Sequence, residues 1–334
     1  MDKIDSSQIS VLVQGPINGS NRYSSPQGVT HDCLKAIRQH LPQAEIVLST
    51  WKGANVEGLV YDKVLLNDDP GAVRFCSSSM TNSNNRIIVS TKNGLEACSN
   101  KYCLKLRSDA VLQSSNFLDY FDRFPERSEQ FPLFERKVIA CSNNSVRYFS
   151  IGKKFMFTPF HISDWVYFGL TSDLKLLYNV ELAKEPQLSE YFRKNKRIEG
   201  KNDFFMDCNW QFPPEQYITY NAFKNKFPEI SLKNKTDYNY TNIRQSDQLI
   251  MNNFIVLEPK LWGFIIFKDF YYKICRYPFM LEAIIWNGIY RHTVYKRMYN
   301  KIFKKNVSTL PQVYEILRCS YDFLAKHIKE FMKI

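Results

Sequence analysis

The sequence predicts an α/β fold built on a mostly parallel, doubly wound sheet, followed by a basic helical extension. Three observations carry this. Short β-rich runs alternate with amphipathic helical stretches over the first third of the chain. Each of those runs ends in polar or turn-forming residues, as the strands of a binding edge do. From Lys268 onward the chain carries 13 Lys and Arg against 5 Asp and Glu, so this tail supplies 8 of the 12 net positive charges.

Ile9–Val13 (I-S-V-L-V) is rich in β-branched residues and is stopped by Gly15-Pro16, which gives a strand and then a turn. Thr30 is placed to cap a helix running to Leu41, with Leu34, Ile37 and Leu41 on one face. Glu45–Leu48 and Lys63–Leu66 give a second and a third strand. Asn84–Cys98 holds Ile87, Ile88, Thr91, Leu95 and Cys98 in helical phase and leads into the strand Tyr102–Leu106. The β-α-β-β-α-β order builds a Rossmann-like sheet. Beyond Phe117 the pattern is less regular. Val138–Cys141 and Val166–Leu170 are expected strands, and the segment from Ser172 to Asn179 is an expected capped helix. Phe223–Tyr240, rich in Lys and Asn, is an expected loop or mobile surface segment.

Bulk properties narrow the classes. A hydrophobic fraction of 44 % and a charged fraction of 23 % over 334 residues exclude general disorder. The 25 Phe and 20 Tyr suit a dense core or surfaces that meet sugar rings or lipid. A net charge of +12 favours anionic partners: nucleotide diphosphates, phospholipid headgroups or nucleic acid. The eight cysteines form no C-x-x-C pair and share no zinc spacing with the five histidines, which fits a reduced, cytosolic compartment. The polar start, Met1–Ser10, lacks a signal peptide's apolar core, and runs such as Leu261–Phe267 are too short to span a bilayer.

Ligands of an open α/β sheet bind beyond the carboxyl ends of its strands. Here those ends read Gln14-Gly15-Pro16, Ser49-Thr50-Trp51, Asn67-Asp68-Asp69 and Arg107-Ser108-Asp109. Neither G-x-G-x-x-G nor G-x-x-x-x-G-K-[ST] follows the first strand, which argues against a dehydrogenase or a P-loop enzyme. Asp109, at the end of a buried strand, is a candidate ligand for Mg²⁺ or Mn²⁺ against a nucleotide diphosphate, unless it merely caps a turn and pairs with Arg107. Asn85 and Arg86, near a helix N-terminus, are placed to meet phosphate oxygens.

The ordered motifs V-Q-G-P-I, S-T-W, P-G, N-R-I-I-V-S-T-K-N-G-L and L-K-L-R-S-D resemble the WavE-type lipopolysaccharide-synthesis proteins over roughly Val11 to Tyr217. The resemblance implies a glycosyltransferase A-type fold. It implies that Gln14, Gly15 and Pro16 lie beside a nucleotide, that Thr50 and Trp51 lie near its base, and that Asp109 stands for the last Asp of the D-x-D signature. The chain departs from that signature with Arg107 at the first Asp, so an arginine can take over part of the cation's task. Two further carboxylates are candidate general bases. Asp164 lies in H-I-S-D-W-V-Y-F-G-L, with His161 as a metal ligand or acceptor contact on the same segment. Glu215 lies in F-P-P-E-Q-Y-I, where Pro214 suits a helix start; by resemblance Glu215 is the better base.

The expected protein is a glycosyltransferase with a nucleotide-sugar-binding catalytic domain over 1–265 and a basic aromatic extension over 266–334. It would carry a hexose from a nucleotide-sugar, UDP-linked by preference, to a lipid-linked or lipopolysaccharide, O-antigen or capsule acceptor. The tail would hold the enzyme at the anionic inner face of a bacterial membrane, or simply pack on the catalytic domain. Two rivals are a nucleotidyltransferase, for which Gly15-Pro16 and Asn18-Gly19 make a poor phosphate loop, and a basic nucleic-acid-binding protein. No nucleic-acid motif appears, and nucleic acid is not an expected partner.

Overall fold

Alternation along the strands puts an apolar face and a partly polar face on one sheet, and this division positions the site. The computed structural model describes residues 4–74, 81–151, 154–203, 205–206, 208–268, 286–289 and 292–303. The first half runs β1 (Ile9–Gln14), α1 (Val29–His40), β2 (Glu45–Trp51), β3 (Lys63–Asn67), β4 (Val73–Arg74), β5 (Thr81–Asn82), α2 (Asn84–Ala97), β6 (Tyr102–Arg107) and β7 (Ala110–Leu112). Then come β8 (Val138–Cys141), β9 (Val146–Ile151), β10 (Lys154–Phe157), β11 (Val166–Leu170), α3 (Thr171–Tyr178), α4 (Tyr191–Lys194) and α5 (Pro214–Lys226). The last part holds α6 (Tyr240–Asn253), β12 (Phe254–Leu257), α7 (Pro259–Trp262), β13 (Phe264–Ile266), β14 (Trp286–Ile289) and α8 (His292–Phe303).

Seven strands form the main sheet in the order β12-β8-β11-β6-β1-β2-β3. β1, β2, β3 and β6 are mutually parallel, as are β8 and β12, and β11 runs antiparallel between β6 and β8. The sheet is therefore the mostly parallel, doubly wound one the sequence predicts. Its lone reversed strand matters for function. The residues that precede β11 fall on the same rim as the residues that follow β1 and β6.

In register, Leu12, Lys105 and Tyr167 stand side by side, and such partners share a face. Gly94 of α2 fixes which face: a Cβ there would lie 2.2 Å from Leu12 Cδ1, so the helix seats on β1 only because the residue is glycine. Lys105 and Tyr167 thus look toward α2, which packs against α3 and α5 on that side. Leu104 and Phe168 look the other way, where Phe168 meets Phe117 and Phe121 at ring centroids of 5.0 and 5.3 Å. Phe117 continues to Trp262 at 5.0 Å, so this side is a closed aromatic core.

Three local expectations need correction. Thr30 does not cap α1: Gly28 holds the N-cap position, and the Thr30 hydroxyl accepts from the Asn18 amide at 2.8 Å and donates to the Ser108 carbonyl at 3.2 Å. Ser172 caps nothing either, since α3 begins at Thr171 with no side-chain cap and its acidic neighbour Asp173 accepts from the Glu135 and Arg136 amides. Phe223–Tyr240 is not one loop. Its start completes α5, and Ile230, Leu232, Asn234, Lys235 and Thr236 are buried although they lie outside helix and strand. Buried polar side chains replace regular structure there: Lys235 donates to the Cys208 carbonyl at 2.8 Å and pairs with Asp203 at 3.2 Å.

Most of the basic tail, including Phe270–Tyr277, lies outside the described residues. Its described pieces rest on the rest of the fold. β14 pairs antiparallel with β9, and α8 lies along β12 and α6. Tyr295 and Tyr299 of α8 are buried, each 5.1 Å from the Phe124 ring, and Lys137 Nζ lies 4.5 Å from the Tyr299 ring centroid. Lys296 and Lys301 point to solvent. Among the described residues no helix is long and apolar enough to cross a membrane. The described cysteines, Cys33, Cys98, Cys103, Cys141 and Cys208, are buried.

Candidate active site

The strand order reverses at β1: the chain steps from β1 to β2 and β3, then crosses back to β6 on the other side. The loops after β1 and β6 therefore part, and the crevice between them is the ligand position of an open sheet. Gly15, at φ +129°, turns the chain there; a Cβ would come within 2.8 Å of the Ser108 hydroxyl. Ser108 ties the two loops. Its amide donates to the Gln14 carbonyl at 2.9 Å, its hydroxyl to the Pro16 carbonyl at 2.7 Å, and Asn18 Nδ2 donates to that hydroxyl at 2.9 Å.

Arg107 shares a register position with Gln14 and so faces the α2 side. Its Nε and one terminal nitrogen donate to the two oxygens of Asp109 at 2.8 and 2.7 Å. Burial works against the charge on Asp109, but Arg107 beside it, and then Lys268, hold its carboxyl below the usual value. The Arg107 guanidinium also lies 5.6 Å from the Trp165 ring.

Below Arg107 lies a buried polar cluster. Lys105, fully buried in the apolar run C-L-K-L, donates to the Asp164 carbonyl, and burial lowers its pKa to about 8. Glu215, in the first turn of α5, accepts from Asn144 Nδ2 and lies 3.8 Å from His161 Nε2. Burial first, and then the Asp164 carboxylate, push Glu215 up to about 8. His161 goes the other way: burial lowers it to about 4, so the imidazole is neutral at neutral pH, and neither ring nitrogen has a hydrogen-bond partner. A polar group with no partner in a buried site is suited to receive one from a ligand.

The structure brings Gly15, Pro16, Arg107, Asp109, His161, Asp164 and Glu215 to one rim, with Gln14 buried at its base. Trp51, two residues beyond Ser49 on β2, shares the face of Gln14 and is half-buried. Other predicted residues lie apart. Ser49 donates to the Ser90 carbonyl of α2 at 2.7 Å, so Thr50, next along β2, faces away from Gln14 and Arg107. Asn85 grips the Ala183 backbone in both directions, at 2.8 and 3.0 Å. Arg86 forms a two-point pair with Asp69 beyond β3, two strands from the crevice.

Among the described residues the rim offers a divalent cation no ready-made protein site. Both Asp109 oxygens are taken by Arg107, His161 faces Glu215, and among the described residues no group of three or more His, Cys, Asp or Glu is placed to hold a metal. Four contributors were not singled out from sequence. Lys105 gave a signal, a lysine inside an apolar strand; Ser108, Asn144 and Lys268 gave none, because their roles follow from the crossing of loops distant in sequence.

Among curated proteins none matches this chain. Several solved structures are similar to it in part. One is the 4-diphosphocytidyl-2C-methyl-D-erythritol synthase of Anaerococcus prevotii, 15 % identical, covering 58 % of this chain and 88 % of that one at a TM-score of 0.31. Another is a cytidylyltransferase of Leptospira borgpetersenii, 13 % identical, covering 56 % and 71 % at 0.31. A third is a glucose-1-phosphate thymidylyltransferase (so described, without proof) of Bacillus anthracis, 8 % identical, covering 69 % and 99 % at 0.32. These likenesses are too slight to carry function. The family match is broader: residues 9–318 match the family described as WavE lipopolysaccharide synthesis, and the chain belongs to that family.

Proposed function

We propose that this protein is a glycosyltransferase that moves a hexose from a nucleotide-sugar, UDP-linked by preference, to a lipopolysaccharide, O-antigen or capsule acceptor. The observation that carries the reading is Glu215, a carboxyl only 12 % exposed beside Asp164 whose pKa stands near 8, on the rim that holds Arg107 and Asp109. A hydroxyl nucleophile must lose its proton as it attacks, and a base with a pKa near the working pH is the effective one. Glu215 takes that proton as the acceptor oxygen bonds to the anomeric carbon and the bond from that carbon to the diphosphate oxygen breaks. Asp164 is the second candidate for the same task, and its charge is part of what raises Glu215. Neutral His161, with an unsatisfied ring beside Glu215, would hold the acceptor hydroxyl.

Such a base favours this reading over a nucleotidyltransferase. There the attacking group is a sugar phosphate, already ionised at neutral pH, and a buried base of high pKa has no proton to take. Gln14, Gly15 and Pro16 would border the nucleotide, and Trp51 its base. We extend the proposal to an anionic membrane surface as partner. With Tyr295 and Tyr299 buried, attraction to it would run through exposed lysines such as Lys296 and Lys301.

The test is product analysis with the purified chain. UDP-, GDP- and CMP-sugars are each supplied with lipid-linked or lipopolysaccharide acceptor, and nucleoside triphosphates are supplied with sugar 1-phosphates in parallel. Acceptor-dependent release of a nucleoside diphosphate (or, from a CMP-sugar, of CMP) is expected. Release of pyrophosphate from the triphosphate mixtures, with none of the former, would overturn the reading.

A further inference from the structure

The strand β13 joins the crevice from far along the chain. It pairs antiparallel with β7 from Ala110 to Ile266, and the Phe267 amide donates to the Asp109 carbonyl at 2.9 Å. The next residue, Lys268, is exposed, and its ammonium is among the charges that hold Asp109 ionised. Asn21, in the loop after β1, donates through Nδ2 to the Phe267 carbonyl at 2.7 Å, so this strand end and the β1 loop are fixed to each other. Arg107 closes the group from the other side, its side chain 25 % exposed while that of Asp109 is 11 % exposed. The carboxylate lies inside and the two cations lie outward.

We infer that Arg107 and Lys268, held by Asp109, form a fixed cationic seat for the diphosphate of the nucleotide donor, and that this seat works without a divalent metal. The inference rests on the reading that a nucleoside diphosphate occupies the crevice between β1 and β6. Two cations and one carboxylate leave one net positive charge, the same as a carboxylate that holds one divalent ion. The guanidinium has five N–H donors in a planar fork suited to phosphate oxygens as well as to a carboxylate. A lysine adds a compact charge on a flexible stem, able to follow the leaving diphosphate as the glycosidic bond breaks. Asp109 then anchors the cations and does not ligate a metal. Preset charges in a partly dry cleft stabilise a developing anion with little reorganisation.

The test is calorimetric titration of UDP, GDP, CDP and ADP into the full chain, in EDTA and in Mn²⁺, for the wild type and Lys268→Met. Lys268 is exposed, so its substitution leaves the fold intact, whereas loss of Arg107 strands a buried carboxylate. The expected result is one preferred nucleoside diphosphate bound in EDTA within twofold of its affinity in Mn²⁺. Lys268→Met is expected to weaken it about tenfold, and to change the weaker binding of the matching monophosphate by less than threefold. Binding in Mn²⁺ that EDTA abolishes overturns the inference and leaves the nucleotide reading in place. Metal-independent binding that Lys268→Met does not weaken removes Lys268 from the seat and overturns the inference as well. Failure of all four diphosphates in both buffers refutes the nucleotide reading, and the inference with it.

Discussion

Glu215 offers the sharpest handle on the chemistry, because one property of its site sets both rate and stability. Its pKa near 8 stands against an ordinary value of 4.5, so at pH 7 about a tenth of the molecules carry the ionised carboxylate. The value of kcat/KM is expected to rise about tenfold per pH unit from pH 5.5 to 7.5 and to level off above 8. The stability effect has the opposite sign. A carboxyl whose pKa is raised on folding binds more protons in the folded state, so its contribution falls as pH rises through the window from 4.5 to 8. That loss is about 1.4 kcal/mol for each pH unit within the window. Replacing Glu215 with Gln keeps the shape and an acceptor for Asn144, and it removes the charge that burial opposes.

Glu215→Gln is therefore expected to lower kcat by about 10² to 10⁴. It is also expected to gain stability over the wild type above pH 6, by a margin that vanishes near pH 4.5, widens with pH up to about 8 and is constant above it. Initial rates across pH, with urea melts of both proteins at pH 5, 7 and 8.5, measure the two effects on the same preparations. A variant that is inactive and equally destabilised at every pH would refute the reasoning, since Glu215 would then be only a hydrogen-bonding partner of Asn144. A flat kcat/KM profile between pH 6 and 8 would refute the base.

Other perturbations test the frame that holds the site. Glu45, at the far end of β2, accepts from Ser10 and Ser99 and pairs with Lys63 at 2.6 Å; burial opposes its charge, yet these partners bring it to about 2. Its contribution is present above pH 4.5 and is lost as pH falls toward 2. Glu45→Gln is expected to cost about 1–2 kcal/mol at pH 7 after allowance for solvent screening, and little at pH 2.5, as read from urea melts. Gly94→Ala places a methyl 2.2 Å from Leu12 Cδ1 and is expected to cost about 1–3 kcal/mol as α2 is pushed off β1, measured as a lower Tm. Tyr295→Phe removes the 2.7 Å hydrogen bond to the Phe254 carbonyl of β12 and is expected to cost about 1–2 kcal/mol, with hydrogen exchange in β12 rising first.

The first half of the fold was legible because its strands and helices are coded locally. β1, β2, β3, α2 and β6 each carry their own periodicity and stop residues, and the observed bounds extend the expected strands by only one to three residues. The sites of error were those where a side chain serves a distant partner. Thr30 has the look of a cap, but its hydroxyl is spent on Asn18 and Ser108, because the loop after β1 must be pinned to the end of β6. Asn85 and Arg86, read from sequence as a phosphate site, are here engaged by the Ala183 backbone and Asp69. The middle of the chain was opaque for a related reason. From 227 to 239 burial is achieved through Lys235, Asn234 and Tyr220, which satisfy backbone groups without regular structure and leave no period to read.

The placement of the site follows from the single reversed strand. A strand parallel to β6 at the position of β11 would begin at the opposite rim, and Asp164 and Trp165, which precede it, would lie a full strand length from Arg107. With β11 antiparallel, Val166 pairs with Leu106, and the residues before one and after the other are neighbours. Lys105 can then reach back to the Asp164 carbonyl, and Arg107 can lie over Trp165. The buried charges of the α2 face exist because this rim brings Asp164 and Glu215 together under low hydration. That crowding is what raises Glu215 into the range where a carboxyl can serve as a base at neutral pH. The opposite face, filled by Phe117, Phe121, Phe168 and Trp262, contributes the apolar burial that offsets the cost of such a cluster.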